Sequence, residues 1–245
     1  MSRWILLVVF STACGTAGGG VAGPSPAPAP APAVAAPAIH WTRTSAEHRA
    51  VFVQTYAWAE QRVREQTSGR SANTWAVILD ADETVIDNST YQRERAAAGG
   101  GFTPETWSAW VRRREATALP GAAQFIARVR SLGGRVVIVT NRTQTECEDT
   151  RSNFTALGIL VDLVLCRPSE TSDKNPRFAA VQNGTAVAGM PAMEVVMWVG
   201  DNIQDFPSLS QQVVQSPDSA FALFGTRYVV LPNPMYGSWE RNAPR

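Results

Sequence analysis

Lysine is almost missing from this chain: among 245 residues there is one, Lys174, against 21 arginines. Histidine occurs twice, at His40 and His48, and cysteine three times, at Cys14, Cys147 and Cys166. Those positions do not offer the ligand spacing of a zinc site. A net charge of +1 with scattered arginines leaves no basic stripe of the kind a nucleic-acid polymer needs, which excludes such a partner. The apolar run Trp4–Phe10 has seven residues, far short of the roughly 20 that span a bilayer.

What is present begins with an export pattern. Ser2 and Arg3 precede that apolar run, and small residues follow it around Cys14, which reads as a signal segment over residues 1–14. Ser11-Thr12-Ala13-Cys14-Gly15 looks like a lipoprotein cleavage box with Cys14 as the lipidated residue, although Ser11 stands where an aliphatic residue is usual. The expected location is therefore outside the cytoplasm, on a bacterial outer membrane through a lipid on Cys14 or in the periplasm. Residues 15–40 are rich in Gly, Ala and Pro and have nothing to bury. Pro24–Ala38 is expected to be extended polyproline II, reaching roughly 45 Å at ~3.1 Å per residue. The rest, 41–245, is long enough for one domain with a full core. Cys147 and Cys166 could pair in an oxidising compartment or remain buried thiols, and two cysteines do not decide between these.

Within the domain, Ser45 caps an expected helix to Gln66, whose face is Val51, Phe52, Tyr56, Ala59 and Val63. Continuous apolar strands are expected at 75–79, 135–139, 161–165, 194–199 and 228–231. Helices fall near 122–132, 144–157, 176–181 and 206–212. A polar, Arg-rich stretch over about 88–120 reads as a helical insertion after the first strand. This alternation predicts an α/β fold, a doubly wound, Rossmann-like parallel sheet with helices on both faces. Its active crevice would lie beyond the carboxyl ends of the strands.

Those strand ends carry the chemistry. Trp75–Leu79 runs into Asp80-Ala-Asp82-Glu83-Thr84, and the two aspartates, spaced i and i+2, leave the sheet on one side. Alone, this is also the pattern of a capped turn. Val136–Val139 ends in Thr140-Asn141-Arg142, where a hydroxyl and backbone N–H groups can hold phosphate oxygens. Val195–Val199 ends in Gly200-Asp201 and, four residues on, Asp205, so four of the nine aspartates occupy two strand tips. The lone Lys174, in a chain that otherwise uses arginine, marks a place where a compact ammonium fits and a planar fork does not.

In this order the motifs resemble the haloacid dehalogenase superfamily, and more closely its class C acid phosphatases. These are four-aspartate lipoprotein phosphatases of bacterial envelopes that include 5′-nucleotidases. The resemblance runs from about Thr44 to Glu240 and includes Val139-Thr-Asn-Arg142, Lys174-Asn-Pro-Arg-Phe178, Val199-Gly-Asp-Asn202 and the tail Leu231–Glu240. It implies Asp80 as nucleophile and Asp82 as proton carrier, with Thr140, Asn141 and Lys174 on the phosphate. It implies Mg²⁺ held by Asp80, the Asp82 carbonyl and Asp201, with Asp205 orienting a bound water or Lys174. Trp107 and Tyr236 become candidates to stack on a flat substrate. For Trp110 and Trp239 a plain hydrophobic contact docking the tail on the insertion is favoured, and Arg112–Arg114 reads as a solvated helix face. The expected function is a Mg²⁺-dependent acid phosphatase acting on small phosphomonoesters, nucleoside 5′-monophosphates among them, through an aspartyl-phosphate. Two alternatives stand beside it: a phosphotransferase using the same intermediate, and a non-catalytic surface lipoprotein that captures a nucleotide or haem. A second copy of the chain is a candidate partner.

Overall fold

In the computed structural model, which describes residues 36–168 and 171–243, the first element is helix α1, Pro37–Thr44. The tether expected through residue 40 therefore gives way to helix at Pro37, a residue whose fixed φ suits the first helical turn. The rest of that tether, with Cys14 and the signal segment, lies outside the described residues.

Helix α2, Ala46–Thr67, starts where Ser45 accepts a hydrogen bond from the His48 backbone N–H. Its buried residues His48, Phe52, Tyr56, Ala59 and Val63 recur at three- and four-residue spacing, a single face turned to the core. Strand β1, Trp75–Leu79, is buried along its whole length. After it comes the insertion: β2 (Ile86–Asp87), α3 (Ser89–Ala97), α4 (Pro104–Arg113) and β3 (Thr117–Ala118). Antiparallel pairing of β2 with β3 closes the insertion at its base, a small ribbon the sequence pattern did not announce. Then follow α5 (Ala122–Ser131), β4 (Arg135–Thr143), α6 (Cys147–Ala156), β5 (Leu163–Arg167), α7 (Asn175–Asn183), β6 (Glu194–Gly200) and β7 (Tyr228–Val230).

The five long-range strands form one parallel sheet in the order β5-β4-β1-β6-β7. From β1 the chain winds outward through β4 to β5, then returns to build β6 and β7 on the other side. The winding reverses beside β1, and such a switch point leaves a crevice at the carboxyl ends of the strands. Alternate residues of β1 feed two cores: Trp75, Val77 and Leu79 pack with α2, α5 and α6, whereas Ala76 and Ile78 pack with Phe178 of α7 and with Trp198 and Phe206. Both faces are thus covered, as a fully buried parallel strand requires.

The helix expected at 206–212 is absent. Short 3₁₀ turns at Ile203–Asp205, Gln211–Gln215 and Asp218–Phe221 occupy this region, and Ser208 adopts φ 62°, which an α-helix cannot accommodate. Phe206 still fills the core, against Phe224 and Tyr228. Cys147, at the start of α6, is joined to Cys166 in β5 by a disulfide. Among the described residues no helix is long and apolar enough to cross a membrane.

Candidate active site

β1, β4 and β6 bring their carboxyl ends side by side, and the predicted residues converge there. Asp80 continues β1, its N–H donating to the Val199 carbonyl at 2.9 Å. One carboxylate oxygen from each of Asp80, Asp201 and Asp205 lies within 4.8 Å of the others. Three negative charges so close repel unless a cation or a proton intervenes. Lys174 supplies one cation: its ammonium donates to Asp80 and, at 2.7 Å, to Asp205. Lys174 sits just before α7 and is only 4% exposed.

Burial, assisted by Asp205 and Asp82 and opposed by Lys174, pushes Asp80 up to about 7. Burial and the charges of Asp205 and Asp80 raise Asp201 well above the carboxylate range. Burial disfavours the Lys174 charge, but Asp205 and Asp80 together outweigh it and hold the ammonium above its usual range. Crowded carboxylate oxygens, two of them on groups that hold their protons more tightly than usual, are what a hard divalent cation binds in place of protons. Asp201 is held by Asn233, whose amide donates at 2.9 Å, and Asp205 accepts from the Asn202 N–H at 2.9 Å. Gly200 makes this turn possible. A Cβ there would lie 2.3 Å from the Asp205 side chain.

Asp82 faces elsewhere. Its carboxylate accepts from Arg142, Nη2 at 2.8 Å and Nε at 3.0 Å, and from Asn88 Nδ2 at 2.9 Å. Asp80 and Asp82 therefore leave β1 together but enter separate polar environments. Thr140 Oγ1 accepts from the Arg142 N–H at 3.1 Å, which leaves its own proton free to donate. The Asn141 side chain is committed: it donates to the Ser172 carbonyl at 3.0 Å and accepts from Arg177 at 2.7 Å. Arg177 also donates to the Thr140 carbonyl at 2.5 Å, so one buried guanidinium fixes both residues of this loop.

Trp107, in α4, packs edge-on to Tyr91 and has the Arg142 guanidinium 5.4 Å from its ring centroid. Tyr236 follows Asn233 in the tail, and its N–H donates to Asn233 at 3.4 Å. Its buried hydroxyl has no hydrogen-bond partner among the described residues, which marks a polar atom awaiting one. Trp110 is buried and donates to Asn88 Oδ1 at 2.8 Å, so it is more than an apolar contact. Trp239 is 43% exposed. Arg113 pairs with Glu94 and Glu115, and Arg114 with Asp149.

Asn88, Arg142, Arg177 and Asn233 were not singled out from sequence. Arg142 and Arg177 stand inside the quoted motifs, and their burial is the signal that distinguishes them from the other arginines.

The family model described as HAD superfamily, subfamily IIIB (acid phosphatase) matches residues 22–239. Two structures of the class C acid phosphatase from Bacillus anthracis are similar to this chain. The first, with tungstate bound, has a TM-score of 0.74 and 27% identity over 83% of this chain and 85% of that one. The second has a TM-score of 0.73 at the same identity and coverage. With the match spanning nearly the whole sequence and the strand-tip carboxylates in place, the chain belongs to the acid phosphatases of haloacid dehalogenase subfamily IIIB and is a phosphoric monoester hydrolase.

Proposed function

We propose that this phosphatase is Mg²⁺-dependent and hydrolyses small monoesters, including nucleoside 5′-monophosphates, through an aspartyl-phosphate on Asp80. The observation that carries the reading is the division of labour around β1: Asp80 lies with Lys174 and the other clustered aspartates, while Asp82 lies apart with Arg142 and Asn88. Asp80 attacks phosphorus as the ester P–O bond breaks. The bonding pair stays on the alcohol oxygen, which takes the proton of Asp82. A water then attacks the aspartyl-phosphate, giving a proton back to Asp82 and restoring the Asp80 carboxylate.

Lys174, the Thr140 hydroxyl and the Asn141 N–H are placed to neutralise and orient the transferring group, the dominant need in this reaction. Asp80 and Asp201, with the Asp82 carbonyl, are the groups that would hold Mg²⁺, which when bound offsets the charge between nucleophile and phosphate. Asp205 is occupied by Lys174 and acts through it. The tungstate in the relative's structure is an oxyanion of phosphate shape and supports an oxyanion pocket in this fold. Trp107 and the unpartnered Tyr236 hydroxyl support an aromatic substrate wall formed from the insertion and the tail. The disulfide supports export, since such bonds persist in oxidising compartments. Anchoring through Cys14 is part of the same proposal. The capture-only alternative is set aside because the family is one of phosphatases.

Phosphate release from nucleoside 5′-monophosphates tests the reading. It is expected to require Mg²⁺, to stop with EDTA and to vanish in Asp80→Asn. Turnover that survives EDTA would sink the metal-dependent mechanism.

A further inference from the structure

The two oxygens of Asp82 are not equivalent. Oδ1 accepts three donors: Arg142 Nη2 at 2.8 Å, Arg142 Nε at 3.0 Å and Asn88 Nδ2 at 2.9 Å. Among the described residues, Oδ2 has only a shared contact with Arg142 Nε, at 3.2 Å. A proton on Oδ1 would displace one of those N–H donors, and Asn88 and Arg142 are buried, so the displaced donor would have no water to turn to. Oδ2 is therefore the less engaged of the two oxygens.

The orientation of Asn88 is itself determined. An indole N–H can only donate, and a guanidinium has no acceptor. Trp110 Nε1 donates to Asn88 Oδ1 at 2.8 Å and Arg142 Nη2 donates to the same oxygen at 3.2 Å. The amide nitrogen must therefore face the acids, Asp82 and, at 3.3 Å, Glu83. Arg142 is braced in turn by Thr150 Oγ1 at 3.3 Å and by the Trp107 ring. Three of these residues, Asn88, Trp107 and Trp110, belong to the insertion, and Arg142 to the sheet.

We propose that Arg142 and Asn88, with Trp110 behind Asn88, are positioning residues that hold Asp82 in one orientation and reserve Oδ2 for the proton passed to the leaving alcohol. This rests on the reading of Asp82 as proton carrier. Its consequence is that the insertion, through Asn88 and Trp110 behind it, sets the aim of an acid on the core domain.

The readout is leaving-group dependence. 4-Nitrophenyl phosphate expels a stable phenolate that needs little protonation, whereas benzyl phosphate expels an alkoxide that needs it fully. The ratio of kcat/KM for the two reports the proton transfer, and because both are measured on one preparation, any misfolded fraction cancels. Asp82→Asn is expected to raise the ratio about 100-fold, Arg142→Lys and Asn88→Ala about 10-fold, and Trp110→Phe, which keeps the ring and loses the N–H, about 3-fold. If Asp82→Asn raises the ratio and the other three keep the wild-type value, the positioning proposal is overturned and the proton-carrier reading stands. If Asp82→Asn itself leaves the ratio unchanged, the proton-carrier reading fails and the proposal with it.

Discussion

Lys174 donates a 2.7 Å hydrogen bond to Asp205, and the same ammonium also donates to Asp80, so one buried cation ties two of the three clustered aspartates. At 4% exposure there is no room for a planar fork with five donors. Lys174→Arg and Lys174→Ala are both expected to lower kcat at least ~100-fold, the usual cost of removing one placed donor from a developing charge. Steady-state kinetics with 4-nitrophenyl phosphate check this. An arginine variant within tenfold of the parent would show that charge alone matters here.

The carboxylate cluster predicts how stability follows pH in the metal-free protein. Below 3.8, the ordinary value for Asp80, folded and unfolded chains both hold its proton. Between 3.8 and about 7 the unfolded chain gives the proton up and the folded chain keeps it, so stability falls as pH rises through that window. Asp201 is shifted in the same direction. A divalent cation binds the deprotonated cluster, so the gain in Tm from Mg²⁺ should grow from pH 4 to pH 7. Thermal melts with EDTA and with MgCl₂ across this range measure both slopes, and a constant Mg²⁺ gain would contradict the assignment.

Gly200→Ala is expected to damage the site from inside the backbone. The added methyl would lie 2.3 Å from Cβ and Oδ2 of Asp205, and Asp205 is the anchor of Lys174. Overpacking of this kind costs about 1–3 kcal/mol. The variant should therefore unfold at lower denaturant and lose activity, as Asp205→Ala would, and urea titration together with kinetics separates the two effects.

The Cys147–Cys166 bridge closes a sequence separation of 19 residues. Removing that constraint from the unfolded chain is worth about 3 kcal/mol in the loop-entropy picture. Cys166 lies in β5 at one edge of the sheet, with β4 between it and β1, and Cys147 opens α6. Cys147→Ser with Cys166→Ser should lower Tm while leaving KM for small monoesters within about twofold of the parent. A melt unchanged by the double substitution would mean that the unfolded chain is not relieved by cutting the bond.

The sheet was readable because its signal is local. Five short apolar runs separated by helical segments admit few arrangements, and all five became parallel strands of one sheet. The 206–212 stretch differs for the same reason: Phe206 and Leu209 have helical spacing, but Ser208 takes a left-handed conformation, and the chain buries Phe206 from an extended residue just after a 3₁₀ turn. A proline-rich composition suggests extended chain through residue 40, while Pro37 opens α1.

By itself the sequence determined which residues stand at the strand tips, since an apolar strand ending in Asp80 and Asp82, or in Gly200 and Asp201, leaves those side chains at the crevice. It also marked Lys174, through the scarcity of its kind. Only the tertiary structure decided who partners whom. Arg142 meets Asp82 across 60 residues, Asn233 meets Asp201 across 32, and the disulfide, open in the sequence, closes between α6 and β5. Periodicity carries information over a few residues along one element, whereas a hydrogen bond between elements depends on how the sheet and the insertion pack. That packing separates two neighbouring carboxylates, Asp80 and Asp82, into a cluster with Lys174 and a clamp made by Arg142 and Asn88.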